Sequence, residues 1–159
     1  MKPDHLRIVI PSRQRIAVLR DNALTLFPQA TITVAQSELE TYARLLPSVE
    51  IVPHPDSVSG IGPIYQWILD NFDDEVIIIA DDDVHELVSM IGYVPVRLRE
   101  VGDIARVLGN TARLAKDIGA RVFGFNQSWD VRKFQPMKCF LLNSWCGGVM
   151  GFVGRDVRF

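Results

Sequence analysis

Short apolar runs and amphipathic stretches alternate along most of the chain. LRIVI (6–10) is apolar and stops at Pro11-Ser12-Arg13, which predicts a buried strand. Between 15 and 27, Ile16, Leu19, Ala23 and Leu26 recur at helical spacing, and Pro28 ends the pattern. TITVA (31–35) is β-branched and predicts a second strand. Ser37 and Glu40 then form a capping-box pattern before a short helix lined by Leu39, Tyr42 or Ala43, and Leu46, closed by Pro47. EIVPHP (50–55) predicts a brief third strand, shortened by its prolines. In SVSGIGPIYQWILDNF (57–72), Pro63 suits a first helical turn, and Ile64, Trp67, Ile68 and Phe72 make the stripe to be buried. VIIIA (76–80) is a fourth strand. Asp103 is placed to cap a further helix with Ile104, Val107, Leu108, Ala115 and Ile118 facing inward and Gly119 at its stop. RVFGF (121–125) predicts a fifth strand, and FLLNSW (140–145) and GGVMGFV (147–153) two more.

Strands alternating with helices at short spacing predict βαβ units and a mainly parallel sheet in a three-layer α/β/α arrangement. The 159 residues suffice for one such domain spanning 1–159. In open α/β sheets ligands bind beyond the carboxyl ends of the strands. That rule brings Pro11-Ser12-Arg13, the His54–Ser57 segment and Asp81-Asp82-Asp83 to one rim.

Composition narrows the picture without changing it. With 48% hydrophobic and 23% charged residues, the chain is expected to fold into a globule rather than stay disordered. No apolar run approaches the roughly 20 residues of a membrane helix, and the N-terminus does not read as a signal peptide, so a cytoplasmic location is expected. Cys139 and Cys146 show no metal-type spacing and read as reduced thiols. The net charge is −2, yet after Gly119 six basic residues face only Asp130 and Asp156. This tail, with Trp129, Phe134, Phe140 and Trp145 interleaved, suits either a polyanion or a solvated basic surface around core aromatics.

Three consecutive aspartates after a wholly apolar strand need an explanation. Adjacent carboxylates raise one another's pKa and destabilise the ionised site unless a cation or hydrogen-bond donors offset them. A Mg2+ or Mn2+ ion does so with oxygen ligands. Strict strand alternation would put Asp81 and Asp83 on one side and Asp82 on the other. Alternatively the aspartates cap the following turn and helix. There is no P-loop and no Gly-x-Gly-x-x-Gly after the first strand. Gly60 and Gly62 fit either a close backbone approach to a phosphate or a plain turn into the helix. His5, His54 and His85 are isolated and read as structural.

With IVIPSRQR closing the first strand, a glycine-bearing helix start, and IIIADDDV closing the fourth, the chain resembles the GT-A fold glycosyltransferases. More narrowly, IPSRQR, DDDV and GRDVRF resemble a small-domain group whose members include enzymes thought to modify hydroxymethylated phage DNA bases. The resemblance implies a donor-binding half over 1–100 and a partial acceptor-side half over 101–159, short at the C-terminus. It implies that Pro11, Ser12, Arg13 and Arg15 border the nucleotide and that Asp56 accepts a hydrogen bond from the base. Gly60 and Gly62 would lie under the donor, Asp81 would contact ribose or donor sugar, and Asp83, with Asp81, would hold Mn2+ or Mg2+. Trp145, Gly147 and Gly148 would lie on the acceptor side.

The implied activity is metal-dependent transfer of a sugar from a nucleoside diphosphate sugar, UDP-sugar favoured, to an acceptor hydroxyl; the acceptor itself stays open, with nucleic acid one candidate. The family's general base has no evident counterpart, and Asp130 is the acid considered for it. A fragment, a degenerate enzyme and a subunit completed by another copy all stay open, as does a homo-oligomer. Two alternatives remain: a catalytically incomplete nucleotide-binding or interaction domain, and a nucleotidyltransferase, against which the glycine-free PSRQR counts.

Overall fold

A strand buried on both faces must show apolar residues at every position, and VIIIA does so. In the computed structural model, which describes residues 6–126 and 146–159, it forms β4 (Val76–Ala80) with all five residues buried. It lies inside a six-stranded sheet with β1 (Leu6–Pro11), β2 (Thr31–Ala35), β3 (Ile51–His54), β7 (Val122–Gly124) and β8 (Val149–Val153), in the order β3-β2-β1-β4-β8-β7. β1 pairs in parallel with β2 and β4, and β2 with β3, whereas β8 runs antiparallel to β4 and β7. β5 (Leu87–Ile91) and β6 (Val94–Leu98) form a separate antiparallel hairpin.

The pleat sorts the core into two layers. Val76, Ile78 and Ala80 meet α1 (Ile16–Asp21), α2 (Ala23–Leu26), α3 (Leu39–Leu45) and α5 (Val101–Asp117) through Leu19, Leu26, Tyr42 and Ile104. Ile77 and Ile79 meet α4 (Ile61–Asn71) through Ile68 and Leu69. Helices therefore cover both faces, and each buried Ile or Leu contributes roughly 1.5–3 kcal/mol over an exposed one. Among the described residues no helix is long and apolar enough to cross a membrane.

Local chemistry overrides pattern at four places. The helix expected over 15–27 breaks at Asn22 (φ −122°, ψ −92°), whose side-chain amide donates to the Val18 carbonyl at 2.8 Å and competes with the helical ladder. The Ser37–Glu40 capping box does not form. Gln36–Glu38 is a 3-10 turn, and the Ser37 amide and hydroxyl both donate to Asp56 instead. Asp103 is not the cap of α5, which begins at Val101; it sits in the first turn and pairs with Arg106 at 3.0 Å. Along α5, Ala112 is buried while Ile118 is exposed beyond the helix end. Finally, the residues after the aspartates are not helical: they lead into the β5–β6 hairpin, turned by Gly92-Tyr93 with Gly92 at φ +62°. The strand expected over 140–145 lies outside the described residues.

Candidate functional site

The site begins where three parallel strands end. Beyond Pro11, the Ser12 amide still donates to the Thr33 carbonyl at 3.0 Å, so β1 delivers the Ser12 side chain in a fixed position. At the end of β4 the Asp81 amide donates to the Gly148 carbonyl at 2.7 Å, tying the first aspartate to the start of β8. β4 stops at Ala80, and Asp82 and Asp83 already belong to a turn. The alternation expected for the triplet therefore fails. Asp82 does not point away from the other two: it is the buried member, 5% exposed, and lines the same cleft as Asp81 and Asp83.

Asp82 is held by a loop of hydrogen bonds closed by an ion pair. The Arg15 amide donates to the Tyr42 hydroxyl at 3.3 Å, and Tyr42 and Ser12 share a bond of 2.9 Å. Ser12 donates its only hydroxyl proton to Asp82 Oδ2 at 2.9 Å, so the Tyr42–Ser12 bond must be donated by Tyr42. Arg15 closes the loop with Nη1 on Asp82 Oδ1 at 2.9 Å and reaches Asp83 Oδ2 with Nη2 at 3.1 Å. Asp83, then Asp82, hold the guanidinium pKa above its ordinary value. Part of the offset that the triplet demands thus comes from the chain itself.

Asp81 is less well compensated. Burial, then the neighbouring Asp83, pushes its carboxyl above the usual carboxylate range, against which the Tyr65 hydroxyl at 3.4 Å is a weak offset. Burial and the Asp81 charge in turn push the Tyr65 phenol up to about 12.

Apart from Tyr42, buried behind Ser12, these groups line a cleft of about 630 Å³. From the end of β1 come Pro11, Ser12, Arg13, Gln14 and Arg15; from the end of β3 come His54 and Asp56; from β4 come the three aspartates. Ile61, Ile64 and Tyr65 of α4 form an apolar wall. Gly60 and Gly62 flank Ile61 at the start of α4. Gly60 holds φ +94°, and a side chain at Gly62 would come within 3.7 Å of Phe159 Cβ. Gly147 and Gly148 lie at the entry to β8, beside Asp81 through the bond already described. Asp130 and Trp145 lie outside the described residues. His85 is exposed and does not line the cleft, whereas His54 is buried, with Nδ1 donating to the Pro55 carbonyl at 3.0 Å and its ring tilted against Trp67.

The basic tail is partly self-neutralised. Among its described members, Arg121 pairs with Asp156, Arg155 with Asp73 and Arg158 with Asp70. Tyr42, Tyr65, Asp82 and Glu38 are members of the site that pattern reading did not single out. The one sequence signal for Asp82 was its place in the triplet.

Asp56 carries a testable mark of its surroundings. The Ser37 amide, then the Ser37 hydroxyl, donates to its Oδ1 at 3.0 and 2.8 Å and holds the carboxyl below the ordinary range. The two bonds favour the charged form, so their benefit is present above the unfolded pKa and is lost as pH falls through the folded one. Ser37→Ala is expected to move the Asp56 carboxyl upward in a carbon-detected NMR titration, by less than full restoration because the amide bond survives. An unchanged titration would refute the hydroxyl contribution.

No protein-family model matches the sequence, and no curated protein matches it. Solved structures do. A mannosyltransferase from Pyrobaculum calidifontis in complex with GDP-Man and Mn2+ is similar with a TM-score of 0.60 at 12% identity, over 94% of this chain and 44% of that one. Weaker likeness extends to CMP:2-keto-3-deoxy-manno-octonic acid synthetase complexed with CTP (TM-score 0.48, 11% identity, 96% of this chain and 75% of that one). It extends also to S. aureus TarS in complex with UDP-GlcNAc (TM-score 0.44, 12% identity, 78% and 36%). The mannosyltransferase match carries the fold: the chain is a mixed α/β protein of GT-A type with a mainly parallel six-stranded sheet. It spans under half of that enzyme's length.

The mannosyltransferase of similar fold is in complex with Mn2+, and the carboxylates of this cleft can be compared with the needs of such an ion. Asp81 and Asp83 offer hard oxygen donors, and Asp81 is short of compensating charge. Asp82 is committed to Ser12 and Arg15. Among the described residues no group of three His, Cys, Asp or Glu side chains could hold an ion unaided. The fit is to a magnesium- or manganese-like ion whose coordination is completed by ligand oxygens.

Proposed function

We propose that the chain binds a nucleoside diphosphate sugar in this cleft, with a divalent cation, and transfers the sugar to an acceptor hydroxyl. The observation that carries the reading is convergence: the ends of β1, β3 and β4 bring Pro11–Arg15, Asp56 and Asp81–Asp83 into one cleft of about 630 Å³. That volume lies within the range of small-molecule sites, roughly 300–1,000 Å³. The mannosyltransferase of similar fold, itself in complex with GDP-Man and Mn2+, supports a nucleotide sugar and a cation.

In this reading Pro11, Ser12 and Arg13 border the nucleotide, and Asp56, its Oδ1 anchored by Ser37, accepts a hydrogen bond from the base. Gly60 and Gly62 let the start of α4 approach the donor. Asp81 contacts the ribose or donor sugar, and Asp83, with Asp81, holds the cation. A bound cation supplies Lewis-acid stabilisation of the departing diphosphate. Arg13 and Arg15 share that charge. Gly147 and Gly148 belong to the acceptor side in this reading; Trp145, assigned there too, and Asp130, the candidate base, lie outside the described residues.

Isothermal titration of UDP and GDP with Mn2+ tests the reading. At least one nucleotide is expected to bind wild-type protein, and Asp83→Ala to weaken that binding by about tenfold or more, the loss of roughly one charge-assisted contact. Binding that survives Asp83→Ala unchanged would remove the cation assignment. Absence of binding by either nucleotide would remove the function. Hydrolysis of UDP- and GDP-sugars, followed by nucleotide release, then separates a transferase from a domain that only binds.

A further inference from the structure

Two arginines near the strand ends are partnered in different ways. Arg7 is locked between Asp74, Glu50 and Thr31, outside the cleft. Arg15 lines the cleft with its side chain 47% exposed and forks across Asp82 and Asp83, the latter itself 56% exposed. A guanidinium fork fits carboxylate and phosphate oxygens equally well. The Arg15–Asp83 half of this fork, exposed on both sides, contributes little net stability and exchanges readily. Asp82 keeps the Ser12 hydroxyl if Arg15 leaves, so the buried carboxylate retains one donor.

We propose that Arg15 is an exchangeable counter-ion: it neutralises Asp82 and Asp83 in the protein alone and swings to the diphosphate when nucleotide binds, freeing Asp83 for the cation. The inference rests on the function proposed above. Arg15 then couples the two ligands. Its carboxylate contacts oppose the cation, its phosphate contact favours the nucleotide, and each ligand raises the affinity for the other by the same factor. The second member of the cleft's arginine pair, Arg13, has no ion pair or side-chain hydrogen bond among the described residues, and it supplies a control for the loss of charge alone.

The test is calorimetric titration of Mn2+ alone, and of UDP or GDP in metal-free buffer, into wild type, Arg15→Gln and Arg13→Gln. Arg15→Gln is expected to bind Mn2+ about fivefold more tightly and the nucleotide about fivefold more weakly, the lower end of ordinary coupling. Arg13→Gln, which removes the same charge, is expected to change Mn2+ affinity by a smaller factor. Arg15→Lys keeps one charge but cannot span both carboxylates. It is expected to tighten Mn2+ binding in the same direction, and it serves if Arg15→Gln does not fold. Equal effects of Arg15→Gln and Arg13→Gln on Mn2+ would reduce Arg15 to part of the general field and overturn the proposal. Weaker Mn2+ binding by Arg15→Gln would show that Arg15 orients the carboxylates for the ion, and would overturn it too. Wild-type protein that binds neither ligand overturns the function, and this inference with it; wild-type binding with unaltered variants overturns this inference alone.

Discussion

Asp82→Ala is expected to lower stability by about 2–3 kcal/mol, read as a fall in the urea midpoint at constant m. A hydrogen bond to a charged group contributes about 1.5–3 kcal/mol, and the buried Asp82 accepts one from Ser12 and pairs with the Arg15 guanidinium. The half-exposed Arg15 places its share at the low end. The larger share comes from Ser12, whose donated proton then has no acceptor in a buried setting, with Tyr42 behind it in the same chain of bonds. Asp82→Asn keeps the shape and one acceptor oxygen but meets two donors, so it is expected to fall between wild type and Asp82→Ala. Ser12→Ala removes the stranded donor, so adding it to Asp82→Ala is expected to cost less than it does in wild type. If Asp82→Ala lies within 0.5 kcal/mol of wild type, the hydrogen-bonded loop is not a structural unit.

The same residue shows where sequence reading succeeds and stops. β4 was legible to the residue because a strand covered on both faces leaves an unbroken apolar run. β2 was legible because its β-branched residues fit no helix so well. The convergence of three strand ends followed from parallel topology alone. What pattern could not supply was the side-chain economy at those ends. Alternation governs side chains only while the strand lasts, and β4 gives out at Ala80, so Asp82 turns inward where period two would send it away. Arg15 could be placed near the rim by position, but its fork across two carboxylates is a tertiary contact that no local pattern encodes.

Competition between partners explains the other departures. Ser37 has the right residue type and spacing to cap α3, yet its hydroxyl and amide go to Asp56, 19 residues away, where a full negative charge accepts both. Asn22 likewise trades helical continuity for a bond to Val18. The hairpin went unread because Val88, Met90, Val94 and Val96 follow a charged turn and belong to a small two-stranded sheet apart from the main one. Its outer strand is largely exposed, so the pattern lacks a clean buried face. Only in the first case does a residue distant in sequence decide the outcome; in the others the competing partner is local.

Gly151→Ala is expected to destabilise the protein by about 2 kcal/mol although alanine normally suits a strand better than glycine. Gly151 sits opposite Phe123 in the β7–β8 register, and a Cβ there would lie 2.0 Å from Phe123 Cζ. The aromatic ring therefore fills the space over the glycine, an arrangement that offsets the weakness of glycine within a sheet. Because β8 lies between β4 and β7, a displaced ring disturbs the strand whose entry, at Gly148, holds the Asp81 amide. Phe123→Ala clears the space. In that background Gly151→Ala is expected to be neutral or to stabilise by about 0.4–1 kcal/mol, since alanine restricts the unfolded chain. The two substitutions thus couple by about 2 kcal/mol or more in a double-mutant cycle followed by urea unfolding, well above the error of additivity for independent sites. Equal costs of Gly151→Ala with and without Phe123 would mean that the ring does not occupy the glycine's space, and that the edge of the sheet is packed in some other way.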